Sequence, residues 1–331
     1  MRTESIARLL SLSCVPLLVA CGAESDPVAL KLQAMSFAGS EWSAPVNLGA
    51  PVNSPFLEQN PTLSKNGLSL YFSSNRTDLP GAVGGTDLWV SQRDRTDCPW
   101  GTPLNLGSVV NSPLGDAGPA LSIDGHLLFF TSGRVGGQGN NDIYVSRRAD
   151  PKDDFGWGPP VNLGPDVNTP LFEAGPAYVQ SAEDGAANLY FQRGLMGGGT
   201  TNDIYYASVT RDGDTRGPAV PVGELNDPTA SDGSPSPRVD GREILFNSSR
   251  SGRLGSIDIW VSTRRSVHDP WSPPENLGEP INVNTGGVSP GPGTRDPDLS
   301  FDGRTLLLVS SRTGTLGGED IWMSTRTANG K

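Results

Sequence analysis

Five times along the chain an apolar triplet runs into small polar residues and an arginine. The copies are Leu70-Tyr71-Phe72-Ser73-Ser74-Asn75-Arg76, Leu128-Phe129-Phe130-Thr131-Ser132-Gly133-Arg134, the shorter Leu189-Tyr190-Phe191-Gln192-Arg193, Ile244-Leu245-Phe246-Asn247-Ser248-Ser249-Arg250 and Leu306-Leu307-Leu308-Val309-Ser310-Ser311-Arg312. A glycine-rich stretch follows each copy, and then a second apolar segment opening with aspartate. These are Asp87-Leu88-Trp89-Val90-Ser91, Asp142-Ile143-Tyr144-Val145-Ser146, Asp203-Ile204-Tyr205-Tyr206-Ala207, Asp258-Ile259-Trp260-Val261-Ser262 and Asp320-Ile321-Trp322-Met323-Ser324. Short apolar, β-branched and aromatic runs bounded by glycine turns read as strands paired in hairpins. Successive aspartates stand 55, 61, 55 and 62 residues apart. That repeat is too long for one hairpin and suits a four-stranded blade.

Two more segments complete the unit. Upstream lie a proline, a short strand and a polar turn, as in Pro61 to Gly67, Pro119 to Gly125 and Pro297 to Gly303. The Asn-Gly and Asp-Gly pairs in them tolerate the positive φ of tight turns. Downstream lies Trp42-Ser43-Ala44-Pro45-Val46-Asn47-Leu48-Gly49, repeated at 100–107, 157–164 and 271–278, with a degenerate copy near Gly217 that has lost its tryptophan. Proline suits an outer edge strand, where N–H groups face solvent. The chain opens on an outer strand with no inner strands before it and closes on an inner pair with no outer strand after it. The expected fold is therefore an all-β, five-bladed propeller of four-stranded antiparallel blades, its ring closed by the N-terminal strand. Closure removes the terminal edges that an open array would expose.

The run Pro-x-Leu-Ser-x-Asp-Gly, then Leu-Tyr-Phe-x-Ser-x-Arg, a glycine turn and Asp-Ile-Tyr-Val-Ser resembles the WD40-like (PD40) repeats of TolB-type propellers over residues 37–326. The resemblance implies a non-catalytic protein-binding scaffold whose partner is an envelope protein or peptide. A carbohydrate-binding or glycoside-hydrolysing propeller is the second reading, because five-bladed propellers include such enzymes. Converging acidic side chains off the propeller axis would favour it.

The composition adds boundaries. Gly 42 and Pro 29 fit many short strands and turns. A net charge of −11 spread along the chain gives no basic face for nucleic acid. At the N-terminus, Leu9 to Val19 is too short to span a bilayer. Leu18-Val19-Ala20-Cys21-Gly22 resembles a bacterial lipoprotein signal. That resemblance implies a leader at 1–20, lipidation of Cys21, a tether over 21–36 and a monomeric propeller over 37–331. It also implies an outer-membrane location, periplasm-facing or surface-exposed, with the lipid as the sole membrane contact. Cys14 would leave with the leader, so Cys98 is expected to remain without an intramolecular disulfide.

Two sets of repeated polar residues are candidates for a role. Arg76 with Asp87, Arg134 with Asp142, Arg193 with Asp203, Arg250 with Asp258 and Arg312 with Asp320 are expected to pin their hairpins as ion pairs. Three residues before each inner proline stand Glu58, Asp116, Glu173 and Asp232, with Thr294 fifth. These four acids are expected at the mouth of the axial channel, where they would focus a negative potential, or else would cap backbone N–H groups. No cofactor is expected. Calcium is the one option, on Asn140, Asn141, Asp142, Asn202 and Asp203, although no twelve-residue calcium loop is spelled out. His126 and His268 are too far apart in sequence to suggest a zinc site. Specificity is expected where copies differ, at 78–83, 212–227 and 284–296.

Overall fold

The computed structural model describes residues 41–180, 186–195, 201–285 and 292–327. The leader, Cys21 and the tether lie outside them. Blade 1 contains β2 (Glu58–Leu63), β3 (Ser69–Ser74), β4 (Asp87–Gln92) and β5 (Leu104–Asn105). Blade 2 contains β6 (Asp116–Leu121), β7 (Leu127–Ser132), β8 (Asp142–Arg147) and β9 (Val161–Asn162). Blade 3 contains β10 (Phe172–Gln180), β11 (Ala187–Gly194), β12 (Asp203–Val209) and β13 (Val220–Pro221). Blade 4 contains β14 (Asp232–Pro237), β15 (Glu243–Ser248), β16 (Asp258–Thr263) and β17 (Glu275–Asn276). Blade 5 contains β18 (Thr294–Leu299), β19 (Thr305–Ser310) and β20 (Asp320–Thr325), and its outer strand is β1 (Val46–Asn47).

The ring closes as the order of elements requires. β1 pairs antiparallel with β20, Val46 opposite Met323 and Asn47 opposite Trp322. Trp42 bridges Arg326, whose guanidinium stacks over the indole at 4.5 Å. The second strands of blades 1, 2 and 4 are buried on both faces, so their middles read as continuous apolar runs rather than alternating ones.

The core lies between blades. Phe129 and Val145 of blade 2 pack with Leu189, Phe191 and Val209 of blade 3. Leu70, Phe72 and Trp89 of blade 1 meet Leu307, Val309 and Ile321 of blade 5. Similar clusters join blades 1 and 2, 3 and 4, and 4 and 5. Each fully buried Leu, Phe or Val contributes about 1.5–3 kcal/mol relative to exposure. Blade-to-blade contact is therefore the main stabilising term.

One repeated device escaped the sequence pattern. Asn53, Asn111, Asn168, Asn226 and Asn282 each turn a side-chain amide onto the third strand of the preceding repeat. Asn53 accepts the Ile321 N–H at 2.9 Å and donates to its carbonyl at 2.9 Å. The other four treat Leu88, Ile143, Ile204 and Ile259 alike. The amide supplies one residue's worth of β-ladder just beyond each two-residue outer strand. Its signal, an apolar residue then Asn shortly after every Leu-Gly or Val-Gly, is present in all five copies.

Candidate functional site

The four repeated acids head their inner strands, but all are fully buried. Each carboxylate folds back onto the loop entering its own blade. Glu58 accepts the Ser54 N–H at 2.9 Å and hydroxyl at 2.5 Å, and Asp116 accepts the same groups of Ser112 at 2.6 and 2.8 Å. Glu173 accepts both from Thr169, and Asp232 accepts the Asp227 N–H at 2.7 Å. Burial pushes the Glu58 and Glu173 carboxyls up, against those hydrogen bonds. With no exposure to the channel, this ring clamps turns.

The arginines choose these acids as partners. Arg134 bonds Asp116 at 2.8 Å, Arg193 bonds Glu173 at 2.8 Å and Arg250 bonds Asp232 at 2.6 Å. Arg76 pairs with Asp78 at 3.1 Å and donates to the Val52 carbonyl. Among the described residues Arg312 donates to Thr294 and to carbonyl oxygens and finds no carboxylate, and burial lowers its pKa to about 10. The expected Arg–Asp hairpin pairs are thus repartnered, because four of the aspartates are already saturated. Asp87 accepts Val83 N–H, Gly84 N–H and the Asn105 amide. Asp142, Asp258 and Asp320 repeat that pattern with their own glycine turns and outer-strand asparagines. The turn before Asp203 lies outside the described residues, as do Gly197 to Gly199. The same bonds occupy Asp142, one of the proposed calcium donors. Among the described residues no group of three or more His, Cys, Asp or Glu side chains stands close enough to hold a metal ion.

The axis is built differently. Two residues after the acid position each inner strand slips register, and the residue there turns left-handed: Asn60 at φ 48°, Gly118 at 63°, Gly175 at 59°, Ser234 at 45° and Asp296 at 49°. A proline follows each, which removes a ladder donor at the bulge. From this layer to the strand ends runs an axial cavity of about 120 Å3. Its carboxylates are Asp296 and Asp298, and its cation is Lys65. The acidity is confined to β18. Where Asp296 stands, the other blades have Asn60, Gly118, Gly175 and Ser234; where Asp298 stands, they have Thr62, Ala120, Ala177 and Ser236. The fifth blade has lost the buried clamp acid at Thr294 and gained two acids on the channel. That departure falls at the end of the divergent 284–296 segment, and aligning the inner strands by their prolines would have exposed it.

Asp298 accepts the Leu63 N–H at 3.1 Å and the Thr62 hydroxyl at 3.2 Å from blade 1. Desolvation outweighs both bonds and pushes its carboxyl up to about 7. Asp296 accepts the Ser234 hydroxyl at 2.8 Å and lies 3.9 Å from the Arg295 guanidinium. Arg295 also bonds Glu319, which holds the Gln59 amide at 2.5 Å. Asp298 can therefore carry a proton near neutrality beside a second, differently partnered carboxylate.

No protein-family model and no curated protein matches the sequence. Solved structures do match in fold. An α-L-arabinofuranosidase from Lactobacillus brevis has a TM-score of 0.56 at 14% identity, over 84% of this chain and 92% of that one. The GH43_1 enzyme from Xanthomonas citri, complexed with xylotriose, has a TM-score of 0.55 at 15% identity, over 85% and 89%. A thermostable family-43 glycoside hydrolase has 0.51 at 14%, over 84% and 91%. This five-bladed, four-stranded architecture is similar in fold to those glycosidases. It corrects the resemblance to WD40-like, TolB-type repeats and removes the basis for a non-catalytic protein-binding scaffold with an envelope protein as partner. The fold agrees, in general terms, with an extracytoplasmic location.

Proposed function

We propose that this propeller acts on carbohydrate and hydrolyses a terminal glycosidic bond at its axial cavity. The observation that carries the reading is the placement of both cavity carboxylates, Asp296 and Asp298, on one diverged inner strand. A structural role shared by all blades would repeat; this pair does not.

Asp298, protonated near neutrality, gives its proton to the glycosidic oxygen as the bond to the anomeric carbon breaks. Asp296 takes a proton from the water that adds to that carbon, and the products are a free sugar and an alcohol. The similar structures include an arabinofuranosidase and an enzyme holding xylotriose, so arabinofuranosides and xylo-oligosaccharides are the first substrates to test.

The test is release of sugar by the mature chain, with the anomer followed by NMR. Asp298→Asn and Asp296→Asn are each expected to lose at least about a hundredfold in rate while remaining folded. Full activity in both variants would overturn the reading. We also propose that Cys21 carries the lipid that tethers the ring to the outer membrane. Cys21→Ser is expected to move the protein from the membrane fraction to the soluble one.

A further inference from the structure

The left-handed residue of each inner strand shows what the axis requires. At that backbone angle glycine is unstrained, whereas a side chain crowds its own carbonyl. Blades 2 and 3 place Gly118 and Gly175 there. Blades 4, 5 and 1 place Ser234, Asp296 and Asn60, at φ 45°, 49° and 48°. Three consecutive blades thus keep a polar side chain where two sister blades show that glycine serves the fold. The turn does not need it, because the preceding blade holds the backbone. The Ser73 hydroxyl accepts the Gly118 N–H at 3.0 Å, and the Gln192 side chain accepts the Ser234 N–H at 3.0 Å. Residues held at such angles concentrate at functional sites.

Two residues on, the same division returns. Blades 4, 5 and 1 have Ser236, Asp298 and Thr62, and blades 2 and 3 have Ala120 and Ala177. The axial cavity is therefore two-sided, polar along the arc of blades 4, 5 and 1 and small and apolar along the arc of blades 2 and 3. Most of the polar arc is engaged within the protein. Ser234 donates to Asp296 at 2.8 Å, Ser236 accepts the Leu299 N–H at 2.9 Å and Thr62 donates to Asp298 at 3.2 Å. Asn60 differs. It is half-buried and lines the cavity, and its oxygen accepts the Ser73 hydroxyl in a long bond of 3.4 Å. Its Nδ2 donates to no acceptor among the described residues.

We propose that Asn60 is a specificity-determining residue of the axial cavity, its Nδ2 donating to a hydroxyl of the sugar ring held there. The glycine and alanine arc of blades 2 and 3 receives an apolar face of that ring, so the cavity selects a ring with hydroxyls on one side and C–H groups on the other. The strained backbone at Asn60 is kept because glycine, adequate for the fold, supplies no donor. The comparison between blades stands on the repeat alone; the assignment of the ligand to a sugar rests on the carbohydrate reading above.

The test joins thermal melting without ligand to titration of the mature protein with L-arabinose and, separately, D-xylose, read by calorimetry. Saturable binding of at least one of the two sugars is expected. Asn60→Gly relieves the left-handed angle and is expected to melt at or above the native temperature, yet to bind that sugar about tenfold more weakly. Asn60→Asp, which keeps the size and the oxygen but not the donor, is expected to weaken binding as much. In hydrolysis the effect of Asn60→Gly is expected on KM more than on kcat. Binding of neither sugar, unaltered affinity in Asn60→Gly, or a lower melting temperature in that variant would overturn the proposal. A native chain that binds the sugar through Asn60 and hydrolyses no glycoside would overturn the hydrolytic reading alone.

Discussion

The carboxylate of Asp298, on the last inner strand, accepts the backbone N–H of Leu63, on the first, at 3.1 Å. That bond crosses the seam where the ring closes, and it belongs to the same side chain that lines the axial cavity. One residue therefore joins the blades and carries a mobile proton.

Its raised pKa has a sign that can be checked. The folded chain holds the Asp298 proton up to about pH 7, whereas the unfolded chain releases it near the ordinary carboxyl value. The folded state thus binds more protons between about pH 4 and 7, and stability from this group falls as pH rises through that window. Thermal melts at stepped pH are expected to show the decline in the native protein and its absence in Asp298→Asn. Hydrolysis, which needs the protonated form, is expected to fall above about pH 7.

The partner of Arg134 makes a second prediction. Asp116→Ala leaves the half-buried Arg134 guanidinium without its carboxylate and the Ser112 N–H without its acceptor. A cost of about 1–3 kcal/mol is expected, measured by urea unfolding. Asp142→Ala removes no charge partner of Arg134 and is expected to act through the glycine turn alone, with Arg134 still on Asp116 in its crystal structure.

Blade 5 offers a gain. Among the described residues Arg312 has no carboxylate on it, and its Nε has no hydrogen-bond partner. Thr294→Asp restores the acid of the other four blades. An increase in stability on the order of 1 kcal/mol is expected, together with a return of the Arg312 pKa from about 10 toward its ordinary value.

The asparagine ladder is testable at the seam. Asn53→Ala strips the buried Ile321 N–H of its acceptor, while the Ile321 carbonyl keeps the Leu48 N–H at 3.1 Å. The unsatisfied donor costs about 1–3 kcal/mol. Hydrogen exchange at the Ile321 amide is expected to rise by orders of magnitude, whereas Asn53→Asp, which keeps the acceptor, protects it better than Ala.

The repeat by itself determined the five blades, their strand order and the N-terminal closure, because hairpin turns, alternation and edge prolines are local signals and closure follows from counting. It also marked Glu58, Asp116, Glu173, Asp232 and the five Arg–Asp sets as special. Their partners were decided by tertiary structure, since a carboxylate and a guanidinium pair by direction and distance, which sequence separation does not encode. Arg134 is eight residues from Asp142 yet bonds Asp116, eighteen residues away. The same holds for the cavity acids. Asp296 and Asp298 look like ordinary turn-flanking aspartates until five strands converge.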